Sequence, residues 1–441
     1  MQVIYKEQMT NTSKNMQTVL KGQKRSIVAW CVYDWGNSAF STVIITFVFS
    51  VYFARGIVGD AIQGSALWSY AIAASGFVIA ILGPLLGAVA DHYGARKRWL
   101  AVFGMVCVLA TALLWLGLPD ASSAHIVLIL SLVVLANIGF ELSLVFSNAI
   151  LPHIAPNAML GRISGWSWGL GYIGGLFCLA LALFGLVGMG DHAPWLALPR
   201  EHSEHVRASA LLTSLWYFLF MLPLLLFTHD SAKSGLSLRS SLGRGITQLK
   251  QSLHDVRHHG HLVRFLIASA LYRDGLNTLF AVGGLYAAGT FGMDFQEILI
   301  FAIGLNVAAG LGAGGFAFLD DHFGSKSTIL TALAGLIALG GIIIFIHDKI
   351  VFMGLAMALG IFIGPAQAAS RTLAARLAPP EMEGQTYGLY AFTGKSIAFL
   401  GPLAFGTATF IFDSQRAGIA TILLFWIAGM VLLLKVREQK A

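Results

Sequence analysis

Residues 34–40 read DWGNSAF and residues 274–280 read DGLNTLF, so the pattern D-x-x-N-[S/T]-x-F stands once in each half of the chain. Each copy lies in a segment of about 20 or more apolar residues, which is the length of a helix that crosses a bilayer. In the first copy, Asp34, Asn37 and Ser38 share one helix face because they are three and four residues apart. Two copies with one spacing predict a duplicated helical bundle whose site lies between the halves.

An aspartate in such a segment is costly, roughly 3 kcal/mol at the helix centre on insertion scales. Intramembrane acids therefore face a cavity or a partner charge, which makes Asp34 and Asp274 candidate functional residues. The two acids are expected to differ. Arg273 stands next to Asp274 and offsets its charge, whereas Asp34 needs a cation from another helix, such as Lys395 or Arg371. If such a cation moves away with its helix, the pKa of the Asp34 carboxylate rises and the group can take up a proton. Asp34 is therefore the better candidate for coupling to protons.

The composition is that of an integral membrane protein, since 57% of residues are apolar, 11% are charged and the mean hydropathy is +0.75. An average soluble chain is about a quarter charged. The net charge of +7 does not indicate nucleic-acid binding, because the basic residues are spread over many short loops. Residues 1–25 are polar and contain no pattern of a cleaved signal peptide. Three cysteines lie in apolar runs and predict packing rather than disulfides: Cys31, Cys107 and Cys178.

Apolar runs bounded by turn signals predict twelve membrane spans. They lie near residues 26–54, 66–90, 99–118, 125–150, 164–188, 208–228, 261–289, 296–319, 328–347, 350–378, 386–412 and 416–435. The predicted fold is an all-α membrane protein with two pseudo-symmetric six-helix halves. Its parts are a tail at 1–25, a first half at 26–228, an amphipathic linker at 229–260 and a second half at 261–441. Most of the 28 Lys and Arg residues fall on the side of the N-terminus, which predicts that both termini are cytosolic.

A charged turn follows the second predicted span, where residues 83–98 read GPLLGAVADHYGARKR. The pattern G-x-x-x-D-x-x-G-x-[R/K]-[R/K] resembles the signature loop of the major facilitator superfamily. The resemblance implies that Asp91, Arg96 and Arg98, with the turn at Gly94, hold the cytoplasmic side of a transporter shut. A weaker copy with Asp321 and Gly324 follows the eighth span. The alternative interpretation is an ordinary charged turn.

A narrower resemblance covers most of the chain. Its segments are residues 33–40, 148–152, 169–175 and 387–391, followed by Gly394, Lys395, Gly401 and Pro402. Together they resemble the bacterial branch of the vacuole-effluxer family, which includes the autophagy-related vacuolar amino-acid exporters. The resemblance implies a transporter of amino acids and, for a bacterial member, a place in the cytoplasmic (inner) membrane.

Further polar residues mark the predicted spans. In the fourth span, Asn137, Glu141 and Asn148 fall within about 40° of one another on the helix. Hydrogen bonding between helices explains the two asparagines as well as a cavity role does, whereas Glu141 favours the cavity. The tenth span holds Gln367 and Arg371 four residues apart. Arg273, Arg371 and Lys395 are three intramembrane cations against the three acids Asp34, Glu141 and Asp274, and the balance predicts pairing.

Two smaller patterns concern packing. Between the sixth and seventh spans, an apolar stripe with steps of four and three accompanies basic residues and predicts an amphipathic helix on the inner leaflet, with membrane lipids as partners. The stripe consists of Leu242, Ile246, Leu249, Leu253 and Val256. In the fifth span, Gly161, Gly165 and Gly169 recur every four residues and predict close approach of a neighbouring helix.

These patterns predict a monomeric secondary transporter with alternating access, in which a small-molecule substrate moves with protons or another coupling ion. The three acids carry the coupling ion, the three cations bind a substrate carboxylate, and Asn37, Asn148, Asn277 and Gln367 supply hydrogen bonds. The chain has no Walker loop, enzyme motif or metal-ligand pattern, so we expect no ATP-driven step, catalysis, cofactor or metal. The alternatives are a membrane sensor or scaffold that keeps a transporter fold, and a transporter of lipid-like or drug-like cargo.

Overall fold

A computed structural model describes residues 23–92, 95–155, 160–188, 193–228, 238–379 and 383–437. These residues form fourteen long helices, with a short 3₁₀ extension at Leu114–Leu116 and a π-helical extension at Leu183–Val187, and no strands, so the predicted all-α class is confirmed for the described chain. The helices are α1 Gln23–Ile57, α2 Ala61–His92, α3 Arg96–Leu113, α4 Ser123–Ile154, α5 Leu160–Ala182, α6 Glu204–Phe227, α7 Leu238–Val256, α8 Gly260–Phe291, α9 Phe295–Phe323, α10 Ser325–Phe345, α11 Lys349–Leu377, α12 Glu383–Ser396, α13 Leu400–Ile411 and α14 Gln415–Leu434. Two stretches of α1, Phe40–Phe47 and Phe53–Ile57, are π-helical.

Ten of these helices are long and apolar enough to cross a membrane, by length and composition: α1 to α6, α9 to α11, and α14. The other two predicted spans correspond to α8 and to the pair α12–α13. Polar residues such as Arg273, Asp274 and Asn277 lower the mean hydropathy of α8. Residues 397–399 interrupt the eleventh predicted span, and each of its two pieces is too short to cross a bilayer alone.

The helices form two bundles with matching contacts. In the first half, α3 packs on α4 and α6, and α2 packs on α4. In the second half, α10 packs on α11 and α14, and α9 packs on α11, which repeats the same three pairings one half later. Between the halves, α1 contacts α8, α2 contacts α13, and α5 contacts α9. The architecture is that of two pseudo-symmetric halves joined along these seams.

Both described ends of the chain lie on the same face of the bundle as the linker helix α7, and this face is here called the linker face. The Ser26 hydroxyl donates to the carbonyl of Phe227, the last residue of α6, at 2.7 Å. The backbone N–H of Arg437 donates to Nδ1 of His261 at the start of α8, at 3.2 Å. The opposite end of the bundle is the far face.

Side chains of one half close the far face against the other half. Arg55 of α1 donates to the carbonyl oxygens of Met293, at 2.7 Å, and Ala288. The amide of Gln415 donates to the hydroxyl of Ser65 in α2 at 2.7 Å. These bonds hold α1 and α2 against the second half at the far face.

Residues that flank the contact between the halves are exposed on the side of the linker face, and we call the region that they border the central cleft. Glu141 and Lys395 meet across it. Asn148 and Gly388 are each seven residues from one of these two on the same helix face, and both are exposed. Arg371 is also exposed and lies near Tyr172 of the other half. These residues border the cleft: Glu141, Asn148, Arg371, Gly388 and Lys395.

The linker helix α7 buries one side against α2. Its predicted apolar stripe is divided in the structure. Val256 is buried and Leu249 packs on the core, whereas Ile246 and Leu253 remain 40% and 42% exposed. The helix therefore keeps two large apolar side chains outside the protein core, seven residues apart.

Glycines of α5 allow α1 to approach closely, but at other positions than the sequence predicts. A methyl group at Gly174 would overlap the carbonyl oxygen of Trp35, and one at Gly171 would lie 2.6 Å from the Ser38 hydroxyl. At Gly169 nothing lies within 4 Å, so the expectation of close packing there is wrong. The surroundings of the two other glycines in that repeat are outside the described part of the chain.

Substitutions at two glycines of α5 test this packing. Gly174→Ala is expected to lower the thermal unfolding midpoint of the purified protein by a few degrees, because overpacking against a backbone atom costs about 1–3 kcal/mol. Gly169→Ala is the matched control on the same helix, and open space there predicts an unchanged or raised midpoint. Equal midpoints for the two variants would contradict the contact between α1 and α5.

The predicted orientation is testable with single cysteines, because the three native cysteines are buried. We expect a membrane-impermeant maleimide to label Glu201→Cys on intact cells and to label His259→Cys only after permeabilisation. Both positions are exposed, on opposite faces of the bundle. The unsubstituted protein controls for background, and labelling of His259→Cys on intact cells would reverse the predicted topology.

Candidate functional site

The first copy of the repeated motif fastens α1 to α5. The Asp34 carboxylate accepts hydrogen bonds from the Asn37 amide at 3.1 Å and from the Ser167 hydroxyl of α5 at 2.5 Å. Ser38 donates to the Asp34 carbonyl oxygen at 2.8 Å. Asp34 is therefore held by neutral donors within its own half.

The second copy fastens α8 to α13. Asp274 is 1% exposed, and its Oδ2 accepts the backbone N–H of Gly401 at 2.8 Å, in the first turn of α13. Helix N-termini carry unpaired N–H groups and a positive partial charge, which a carboxylate satisfies. The next residue, Pro402, has no N–H to satisfy. Asp274 thus stabilises a helix end that would otherwise be unpaired inside the bundle.

The two copies have the same geometry. Thr278 donates to the carbonyl oxygen of Asp274 at 2.8 Å, as Ser38 does to that of Asp34. A methyl group at Gly401 would overlap the Thr278 hydroxyl, just as Gly171 of α5 lies against Ser38. In each half, the motif joins the first span to the fifth span of that half. The second asparagine differs, because Asn277 is exposed whereas Asn37 is buried.

Glu141 and Lys395 form an ion pair between α4 and α12 and so connect the two halves. Their side chains are 22% and 44% exposed, so water reaches the pair from the cleft. Lys395 lies in the last turn of α12, where the negative end of the helix favours a cation. This pair is one of the charge pairings that the sequence leaves open.

The predicted balance of three acids with three cations is not realised in the described structure. Lys395 pairs with Glu141, so the expectation that it neutralises Asp34 is wrong. Arg273 does not offset Asp274, because the Arg273 guanidinium donates to the Tyr390 carbonyl whereas the Asp274 carboxylate accepts the Gly401 N–H. Oδ1 of Asp274 is buried without a hydrogen-bond partner among the described residues. Neutral side chains and a backbone N–H take the place of the expected cations.

A second cationic group lies beside the pair. The Arg273 guanidinium donates to the Tyr390 carbonyl at 3.2 Å and lies 4.1 Å from the centre of the Tyr390 ring. Tyr390 in turn stacks on Phe265. Arg371 lies near Tyr390, Arg273 and Tyr172 of α5. Two guanidinium groups therefore lie near one another at the seam between the halves.

The remaining predicted hydrogen-bonding residues are spread over several positions. Asn148 borders the cleft, Asn277 is exposed on α8, and Gln367 of α11 is half-buried one turn from Arg371. Asn137, which the sequence grouped with Glu141, donates to Ser75 of α2 at 2.7 Å and is a packing residue. Of the four, Asn148 is the one that the structure brings to the Glu141 face.

The charged turn after α2 contacts its own half. Arg96 bonds His153 at the end of α4 at 3.1 Å, and Lys97 donates to the Thr228 carbonyl after α6 at 2.9 Å. Arg98 is exposed. Gly324 stands before α10 with a φ of 87°. Three predicted loop positions, Gly94 and the side chains of Asp91 and Asp321, lie outside the described part of the chain.

The sequence reasoning missed a cluster of hydroxyl groups. Tyr33 bonds Ser143 at 2.8 Å and Tyr217 at 2.9 Å, and Ser143 and Tyr217 bond each other at 2.8 Å. The cluster joins α1, α4 and α6 next to Asp34. The sequence offers one signal for this cluster, the tyrosine that stands directly before the first copy of the motif. The far-face residues Arg55 and Gln415 were also missed, because each stands near the end of a span, where a polar residue is expected at the membrane–water interface.

An apolar cavity of about 50 Å³ in the second half is separate from these groups. It lies among α8, α9, α10, α11 and α14 and reaches α1 at Phe47, with Phe280, Tyr286 and Trp426 in its wall. Pockets for small molecules are typically 300–1,000 Å³. The cavity is therefore a packing void, and the candidate substrate site is the cleft at Glu141 and Lys395.

Comparisons with known proteins agree with this architecture. The sequence model of the family described as "Vacuole effluxer Atg22 like" matches residues 50–441. The chain is 27% identical over 419 residues to an uncharacterized MFS-type transporter, YxiO, of Bacillus subtilis, covering 93% of this chain and 94% of the relative. It is 24% identical over 370 residues to autophagy-related protein 22 of Eremothecium gossypii, covering 76% and 69%.

Solved structures show the same fold at low sequence identity. The xylose transporter XylE from E. coli, in an inward open conformation, has a TM-score of 0.65 and 16% identity, covering 96% of this chain and 97% of XylE. A bacterial homologue of the human lysosomal transporter Spinster has a TM-score of 0.63 and 14% identity, covering 96% and 99%. The resemblance and the predicted all-helical transporter fold are confirmed, with ten of the twelve predicted spans long and apolar enough to cross a membrane in the described chain, and these relatives and neighbours are transporters rather than enzymes.

Variants of Asp274 test its role at the helix end. Asp274→Asn retains a carbonyl acceptor for the Gly401 N–H and removes a buried charge, so we expect an unchanged or raised unfolding midpoint. Asp274→Ala leaves that N–H unpaired and is expected to lower the free energy of unfolding by about 1–3 kcal/mol. Asn277→Ala, at the exposed asparagine of the same motif, is the control. A strong destabilisation by Asp274→Asn would show instead that the charge itself is required.

Proposed function

The chain belongs to the vacuole effluxer Atg22-like family, and from that premise we propose that it is a secondary active transporter of small polar solutes, with amino acids as the substrate class. It is an integral, multi-pass membrane transporter of the major facilitator type. Beyond the class of transporter, we propose the substrate class, alternating access of the two halves and coupling to protons. It places the protein as a monomer in the bacterial cytoplasmic membrane, with the linker face in the cytosol.

One observation carries the proposal of coupled transport: the ion pair of Glu141 with Lys395 connects the halves and is reached by water. Protonation of Glu141 removes the attraction, and a substrate carboxylate competes with Glu141 for Lys395. Either event weakens a contact that exists only while α4 and α12 are close. A ligand that binds one arrangement of the halves better than the other shifts the population between them.

The substrate is held between opposite charges. Its carboxylate binds Arg273, Arg371 and Lys395, and its ammonium group binds Glu141, with hydrogen bonds from Asn148, Asn277 and Gln367. Asp34, Asn37 and Asp274 position the helices that surround the site, because they fasten α1 and α8 to the fifth span of each half.

Two further parts of the proposal concern the linker face. Asp91, Gly94, Arg96, Arg98, Asp321 and Gly324 form the turns that close the cytoplasmic side when the halves rotate. The linker helix α7 rests on the inner leaflet, with Ile246 and Leu253 in the lipid and Lys250 and Arg257 near anionic headgroups.

A sensor or scaffold with a transporter fold is the second candidate function. It requires charges that stay paired across a closed core. The exposure of Lys395 and the opening of the cleft towards the linker face favour transport instead. Lipid-like cargo is less favoured, because the groups that border the cleft are charged or polar.

The test of coupling compares two acids in purified protein reconstituted into vesicles. Glu141→Gln is expected to reduce accumulation of labelled amino acids under an imposed pH gradient at least about tenfold, a loss of about 1.4 kcal/mol or more, while exchange without a gradient continues. Glu297→Gln is the matched control. Glu297 forms a similarly exposed pair with Lys349, but within the second half, so accumulation is expected to persist.

Two outcomes would contradict the coupling proposal. Accumulation by Glu141→Gln at the level of the unsubstituted protein would remove Glu141 from coupling. Absence of any exchange or accumulation by the unsubstituted protein, across neutral, acidic and basic amino acids, would favour the sensor or scaffold.

A further inference from the structure

The seam between the halves is packed more closely near the far face than near the linker face. A methyl group at Gly284 of α8 would overlap the Thr46 carbonyl of α1. One at Gly406 of α13 would lie 3.0 Å from the Cβ of Ser69 in α2. Further along α2, towards the linker face, no described atom lies within 4 Å of a methyl group at Gly83. The structure is therefore closed at the far face.

A buried amide stands at this closed end. Gln415, the first residue of α14, is 4% exposed. Its Nε2 donates to the Ser65 hydroxyl at 2.7 Å and lies 3.3 Å from the Ala61 carbonyl oxygen. Both acceptors belong to the first turn and a half of α2, in the other half of the protein. We call the contacts of Gln415 with Ser65 and Ala61 the far-face latch.

The second half fixes the orientation of the Gln415 amide. The Thr290 hydroxyl of α8 donates to Oε1 of Gln415 at 2.8 Å, so the NH₂ group is the end that faces α2. The same NH₂ group lies 3.2 Å from the Leu285 carbonyl oxygen of α8. Gly289 leaves the space for the side chain, because a methyl group there would overlap the amide. The second half thus presents a donor to α2.

An amide is suited to a contact that breaks and forms again. While it is buried, Gln415 needs the acceptors of α2, because buried polar groups are hydrogen-bonded. When the halves separate at the far face, water replaces Ser65 and Ala61. The net gain from such an exchange is small, since bonds to water are traded for bonds to protein. The contact therefore biases the equilibrium between two arrangements of the halves without fixing it.

We propose that the far-face latch sets the resting conformation of the transporter, because its contacts keep the far face closed and their release opens that face. This inference rests on the alternating access of the proposed function and names a residue that controls one of its two faces. Gln415 is a positioning residue, since it acts on the arrangement of the halves from outside the central cleft.

A second contact closes the neighbouring seam in the same way. Arg55 of α1 donates to the carbonyl oxygens of Met293, at 2.7 Å, and Ala288. These carbonyls lie at the C-terminal end of α8, where the helix favours a cation. Both contacts join a side chain of one half to a helix end of the other half, and both are lost when the far face opens.

The experiment measures how often the far face opens. Ser69→Cys places a thiol against Gly406, where a reagent arrives only after α2 and α13 separate. The full-length protein stays in its membrane, and a membrane-impermeant methanethiosulfonate is added on the side from which Glu201→Cys is labelled. The labelling rate is proportional to the open fraction while that fraction is small. Gln415→Met, which keeps a similar length without the amide, is expected to raise this rate about tenfold.

Two controls separate the loss of the latch from a general loosening of the bundle. Arg416 follows Gln415 on α14 and donates to the Ile344 carbonyl of α10, within the second half. Arg416→Gln is therefore expected to leave the labelling rate of the Ser69→Cys reporter unchanged. The three native cysteines are buried in the first half, and they are expected to stay unlabelled in Gln415→Met.

Further variants keep the test independent of any one substitution. Ser65→Ala removes the hydroxyl acceptor of the other half and is expected to raise the labelling rate about twofold or more. Arg55→Gln is expected to raise it as well, through the seam of α1 with α8. If Ser69→Cys does not fold, Thr46→Cys, which is 5% exposed at that second seam, is the reporter.

The outcomes separate this inference from the proposed function, because labelling needs no substrate. Unchanged labelling rates in both Gln415→Met and Ser65→Ala would overturn the inference, even if the protein transports amino acids. Labelling of the native cysteines that rises together with that of the reporter would also overturn it. A protein that shows the expected labelling but carries no amino acid would contradict the proposed substrate class and leave the latch in place.

Discussion

A carboxylate inside a bilayer must be hydrogen-bonded, paired or wetted, and the organisation of this protein depends on how three acids meet that demand. Asp34 takes neutral donors from its own half, and Asp274 takes the N–H group at a helix end. Glu141 takes a cation from the other half. Only the third contact changes when the halves move apart, so the first two give each half its internal rigidity and the third joins the halves.

The fold class could be predicted from the sequence because hydropathy is a property of long segments and the repeated motif marks the same position in each half. Two of the twelve predicted spans, at α8 and at α12–α13, are not confirmed by length and composition, because polar residues and a break interrupt the apolar run. The residues of the candidate site could also be chosen from the sequence, since charged residues such as Glu141 and Lys395 are rare at membrane depth. Their pairing was not, because it depends on which helix faces turn towards each other.

The error about Asp274 has a physical reason. Counting charged side chains treats cations as the partners of acids, but a broken helix offers backbone N–H groups and a positive end, which no side-chain count includes. The glycine error is similar. Gly169 and Gly174 look alike in sequence, and only the angle at which α1 crosses α5 determines that Gly174 meets the Trp35 carbonyl.

The break between α12 and α13 divides one span into two mechanical parts. The α13 part is anchored to α8 through Gly401 and Asp274, whereas the α12 part carries Lys395 and Tyr390 and also contacts the linker helix. Residues 397–399 between them form a turn without a rigid helical backbone. The α12 part packs on α2 of the first half as well as on α8 and α11 of its own half, so any displacement of Lys395 acts on both halves and on the linker helix together.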